Sequence, residues 1–139
     1  DDKKINLRDV EVLVSKNLEE NIYELTNSIL DNNNKKTVEI YYDLIANSED
    51  PIRILSSISN KIRQLIVTKK MLEKRYNQDQ IKDHFGIKSG AAYYLIKDAN
   101  RVSYELLESM LEKLSNLDFD IKMGKIDKKI GLEILILGV

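Results

Sequence analysis

The chain of 139 residues has no cysteine. This excludes disulfides, thiolate zinc sites and cysteine nucleophiles together, and it fits a reducing compartment. One proline and five glycines are too few for the many turns of a β-sandwich. There is no tryptophan and a single histidine, His84. One histidine leaves no helical di-iron set built on paired Glu-x-x-His, and no His-Glu-x-x-His zinc motif. Neither GxxxxGK[ST] nor GxGxxG occurs, so no phosphate-cradling loop is encoded. The longest apolar run is Ile134–Leu135–Ile136–Leu137, against roughly 20 residues for a bilayer span. No basic start followed by an apolar core marks a signal peptide. These absences lead to the expectation of a cytoplasmic protein with no membrane contact, cofactor, metal or active site.

What is present is charge at helical spacing. Charged residues make up 32% of the chain, yet the formal net charge is only −1, so global electrostatics do not call for nucleic acid. The local balance differs. Residues 1–50 hold 12 acids and 6 bases, 51–75 hold 1 acid and 7 bases, and 76–139 hold 10 acids and 9 bases. A chain of this length buries roughly two thirds of its unfolded surface and needs no covalent staple.

Nearly every segment reads at the helical period, and no alternating strand or internal repeat survives the reading. Asn6 is placed to cap a short helix carrying Leu7, Val10 and Val14. A second helix runs from about Leu18 to Leu30 with Ile22, Leu25, Ile29 and Leu30 on one face. Asp31-Asn32-Asn33-Asn34 interrupts it. A third shows Val38, Tyr41, Tyr42 and Ile45. Asp50 then Pro51 is the clearest start signal, and Ile52, Leu55, Ile58, Ile62, Ile66 and Leu72 continue the stripe to about Arg75. Asn77 with Gln80 forms a capping box, Gly86 ends that helix, and Ser89 caps the next, through Ala92, Leu95, Ile96 and Ala99. Ser103 caps a long helix through Leu107, Met110, Leu114, Leu117 and Ile121. Gly124 ends it, and Asp127 caps a last helix that is apolar nearly all round. The predicted fold is an all-α helical bundle.

Few residues could carry chemistry. His84 falls in the last turn of a short helix, where an imidazole suits the negative helix end; this outweighs a catalytic reading. Asp118 lies within the stripe Leu114, Leu117, Ile121, so it is either an interface or network acid or half of a local pair with Lys122. Arg53, Lys61, Arg63, Lys69, Lys70, Lys74 and Arg75 share one predicted helix. They could follow phosphates, face an acidic partner or simply be solvated. Residues 78–101 read helix, glycine turn, helix, which is the outline of a DNA-binding helix-turn-helix. Its would-be recognition helix opens Ser89-Gly90-Ala91-Ala92, with little to bond a base edge, and Lys82 stands where that motif packs a small residue.

The chain resembles the C-terminal part of the bacterial DNA polymerase III delta subunits, the clamp-opening subunits of clamp loaders. Four stretches carry the resemblance in order. They are Asn21-Ile22-Tyr23-Glu24-Leu25 through Leu30, with Tyr23 where phenylalanine is commoner, and Glu49-Asp50-Pro51-Ile52-Arg53-Ile54-Leu55 leading into Ile62-Arg63-Gln64-Leu65. Gln80-Ile81 through Phe85-Gly86-Ile87 comes next, followed by Leu114, Asp118, Ile121-Lys122, Gly124 and Asp127 with the apolar tail.

The resemblance implies that residues 1–18 are the end of a helical AAA+ lid and residues 19–139 a collar domain. It implies partners in the gamma/tau and delta prime subunits, and primer-template DNA in the assembled complex. The sliding clamp would be met only through an N-terminal domain outside this stretch. Catalysis would have no place here, although the parent complex is a DNA-directed DNA polymerase. Asp118 and Lys122 become structural or interface positions. Lys88, Lys122 and Lys125, at turns or helix ends, become candidates to lie near DNA, and Ile134, Ile136 and Leu137 become candidates for an interface.

Overall fold

In the computed structural model the chain is described from residue 7 to 138, with side chains from residue 18 onward. Seven helices follow one another among the described residues: α1 (Leu7–Leu30), α2 (Asn34–Ala46), α3 (Pro51–Glu73), α4 (Gln78–Phe85), α5 (Ser89–Arg101), α6 (Tyr104–Lys122) and α7 (Lys128–Leu137). None is long and apolar enough to cross a membrane.

The starts follow local chemistry. Asp50 accepts the Ile52 N–H at 2.9 Å, with Pro51 at the first helical position. Asn77 and Gln80 each accept the other's backbone N–H, at 2.9 and 2.8 Å. Ser103 accepts from Leu106 at 3.2 Å, and Asp127 accepts from Lys129 and Ile130 at 3.0 Å. Gly86 closes α4 in the left-handed region at φ +64°.

Three expectations are corrected. The first two predicted helices are one, because no proline or glycine stands between residues 7 and 30 to stop the chain; the expected cap at Asn6 lies outside the described residues. Ser89 is not a cap. Lys88 holds that position without a side-chain cap bond, while Ser89 accepts from the Gln78 amide at 3.2 Å through Oγ, tying α5 to α4. Finally, α2 buries Thr37, Ile40, Tyr41 and Leu44, rotated from the predicted line, and leaves Tyr42 at the surface. Thr37 can go inside because its hydroxyl meets that of Ser28 at 2.7 Å.

α3 is the axis of the bundle and packs against α1, α5, α6 and α7, while α2 lies on α1 and α7. Ile54, Leu55, Ile58, Ile62 and Leu65 of α3 are almost wholly buried, in one cluster with Leu25, Tyr41, Leu107, Leu114 and Leu132. α7 approaches α6 closely at Gly131, where a Cβ would stand 2.6 Å from Leu117 Cδ1. α4 packs chiefly on α5. Its Ile81 is wholly buried in the core cluster, while Phe85, Gln80 and His84 line recesses beside α3.

Candidate functional site

Among the described residues the buried carboxylate is Asp98, not Asp118. Asp98 is 4% exposed and accepts the Tyr23 hydroxyl at 2.8 Å and the Arg101 guanidinium at 3.3 Å. Arg101 also bonds Asp31 and reaches Asn27, so α1 and α5 are stapled by one polar network. Lys61 of α3 completes it, with its ammonium 4.5 Å from the Tyr23 ring centroid. Burial pushes the Tyr23 hydroxyl up to about 12, and its bond to Asp98 adds to the shift. Burial lowers the Lys61 ammonium, partly offset by the Asp98 charge. A sequence signal for Asp98 existed: it stands three residues after Leu95 and one before Ala99, on the apolar line of α5.

The network has a pH signature. A phenol raised in the folded state contributes stability that is complete below its unfolded value of 10.0 and is lost as pH climbs toward about 12. Chemical denaturation followed across that window should show falling stability, and Tyr23→Phe should flatten the decline. An unchanged slope in that variant would assign the loss to other groups, such as Tyr41, which burial also pushes up to about 12.

Asp118 is half-exposed and takes Lys122 one turn later at 2.7 Å. Lys125 lies in the α6–α7 turn with its ammonium 5.5 Å from the Phe119 ring centroid. Lys88 starts α5. It is thus on the α4–α5 corner, while Lys122 closes α6 beside Leu55 and Ser56 of α3 and Lys125 follows in the next turn over Phe119, so Lys88 is not brought together with the other two. The predicted apolar patch divides in the same way. Ile136 is 5% exposed and belongs to the core, whereas Ile134 is 42% exposed. Ile134 and Leu137 line a shallow depression with Ile130 and Glu133. Tyr42 borders it, donating to Glu133 at 3.0 Å, and this bond raises the Tyr42 hydroxyl above its ordinary value. Phe119 and Met123, 56% and 61% exposed, extend the outward apolar surface at the end of α6.

The helix-turn-helix outline is a structural corner. α5 turns Ala92, Leu95 and Ala99 into the core and offers Gly90 and Ala91 at its exposed start, which carry no group to bond a base edge. His84 sits on α4 with its ring 4.8 Å from that of Phe85.

Comparison with known proteins agrees with this architecture over the whole chain. Residues 19–139 match the family described as DNA polymerase III delta subunit, C-terminal domain. The chain is 36% identical over 137 residues to the DNA polymerase III subunit delta of Bacillus subtilis, covering 99% of this chain and 40% of that protein. The solved structure of the Bacillus subtilis DNA clamp loader delta protein superposes with a TM-score of 0.82 at 36% identity, over 99% of this chain and 41% of that one. The chain therefore spans about two fifths of the length of these relatives. A regulator centred on residues 78–101 is not favoured, because the likeness runs through every helix rather than through that corner alone. The chain belongs to the DNA polymerase III delta subunit family, as its C-terminal, all-helical domain.

Proposed function

We propose that this domain holds a delta subunit in the ring of its clamp loader. Residues 19–139 act as the collar and residues 1–18 as the end of the lid, with the boundary inside the continuous α1. The partners are the neighbouring gamma/tau and delta prime subunits, with primer-template DNA passing through the assembly in the bacterial cytoplasm. The sliding clamp is engaged elsewhere in the longer protein, and this domain works by contact rather than catalysis.

One observation carries the reading. Ile130 and Ile134 stand 55% and 42% exposed on the outer face of α7, in a chain of which 32% of the residues are charged. Apolar surface left exposed on one face marks an interaction site. Mixing the protein with the complete partner subunits should give a stoichiometric complex on size exclusion. Ile130→Asp with Ile134→Asp should abolish that complex without loss of helical content. A chain that elutes alone beside an assembled ring of its partners would overturn the proposal.

A further inference from the structure

Seven cations and one acid occupy residues 51–75, and the fold uses two of those cations internally. Lys61 covers Tyr23, and Lys69 donates to the Ala99 carbonyl at 2.8 Å while lying over the Tyr104 ring. Arg63, Lys70 and Lys74 instead reach solvent along one face of α3, and among the described residues none of them has a carboxylate within ion-pair distance.

That face is a groove. Near the start of α3 a recess of about 300 Å³ lies between Ser56, Asn60 and Arg63 on one side and Ser115 with the Asp118–Lys122 pair on the other. A second, about 310 Å³, passes Asn60, Arg63, Gln64 and Val67 beneath Phe85. The third, about 390 Å³, is floored by Val67 and Met71, walled by Tyr76 and His84 and rimmed by Lys70 and Lys74. Neighbouring recesses share Asn60 and Arg63, then Val67. Through these shared residues they follow one another along α3 as a shallow channel from Ser56 to Lys74, roughly 27 Å at the helical rise, flanked by α4, which packs chiefly on α5.

We infer that this channel binds single-stranded nucleic acid. The hydroxyl, amide and cationic donors along α3 suit a phosphate–sugar backbone, which is contacted mainly by such groups. The third recess suits a base: an apolar floor, a Tyr76 ring 41% exposed and the His84 ring provide stacking surface beside cations, the combination that single-strand grooves use. A duplex keeps its bases stacked inside and cannot fill that slot. An acidic peptide would satisfy the lysines but has no flat ring to offer by necessity. The inference goes beyond ring assembly and is read on the protein alone, so co-elution with partner subunits can succeed or fail independently of it.

The test is fluorescence anisotropy of a labelled oligothymidylate with the protein over a range of salt. The triple variant R63A/K70A/K74A should bind at least tenfold more weakly and flatten the slope of log affinity against log salt by about 2, the value for three lost phosphate contacts. The charge-matched K35A/K36A/K113A, at exposed positions on other helices, should change neither quantity. Tyr76→Ala should weaken binding roughly tenfold, and Tyr76→Phe should restore it. Equal losses in the two triple variants would overturn the site. Equal affinity for a duplex of the same length would overturn the single-strand assignment. Displacement of the oligonucleotide by polyglutamate with the same variant sensitivity would reassign the groove to an acidic protein segment.

Discussion

Replacing Asp98 with alanine should destabilise the protein by about 3 kcal/mol, the low end for breaking a buried pair, because Arg101 keeps a second acid. Asp98 is 4% exposed and answers two donors from two helices. Without it the Tyr23 hydroxyl and the half-buried Lys61 lose their compensating charge, while Arg101 retains Asp31. Asp98→Asn, which keeps the shape and some hydrogen bonding, should fall between alanine and wild type. Asp118→Ala is the contrasting case. Its partner Lys122 is largely exposed, and exposed helical pairs separated by one turn contribute about 0.3–0.5 kcal/mol. Urea denaturation of the three variants separates these outcomes. Equal costs for Asp98→Ala and Asp118→Ala would show that solvent reaches Asp98 as freely as Asp118.

Ile62→Ala should cost about 2–5 kcal/mol, the usual range for removing a buried aliphatic side chain, with Ile62→Val near 1 kcal/mol. Ile62 is 0% exposed and sits on the helix that packs against four others. A cavity there cannot be refilled by the movement of one neighbour. Ile134→Ala on the outer face should change stability by no more than about 0.5 kcal/mol, as at other surface positions, while weakening assembly. Denaturation midpoints with unchanged slopes check the first claim, and size exclusion with partner subunits checks the second. Comparable stability losses at Ile62 and Ile134 would mean that the outer face of α7 is part of the folding core.

Helix starts were readable wherever a few adjacent residues decide them. Asp50–Pro51, Asn77–Gln80, Ser103 and Asp127 each place a side-chain acceptor against the next turn's free N–H groups, and no distant residue is needed. Orientation was less readable. On α2 both Val38–Tyr41–Tyr42–Ile45 and Thr37–Tyr41–Leu44 lie along one side of a helix. Thr37 faces inward because Ser28, nine residues earlier on α1, supplies a hydroxyl partner. The apolar α7 gave no face at all from sequence. Tertiary packing assigns Leu132 and Ile136 to the core and Ile130 and Ile134 to solvent.

The acids show the same division. Asp98 and Asp118 both stand on apolar helical lines, and periodicity treats them alike. Asp98 goes inside because Tyr23 and Arg101 can answer it, and Asp118 stays at an edge where Lys122 and water suffice. Likewise the basic run on α3 is one feature in sequence and two in space: Lys61 and Lys69 are consumed by neighbours, while Arg63, Lys70 and Lys74 line the groove.

The sequence by itself determined an all-helical chain, the caps at Asp50, Asn77, Ser103 and Asp127, and, through four ordered stretches, its family. Those properties depend on residues within about one turn of each other, or on order along the chain. Only the tertiary structure decided which face of each helix is inside, which acid is buried and which cations remain free. Burial of a side chain depends on what the neighbouring helices offer it, and those neighbours can be distant along the chain, as Tyr23 and Asp98 are at 75 residues apart.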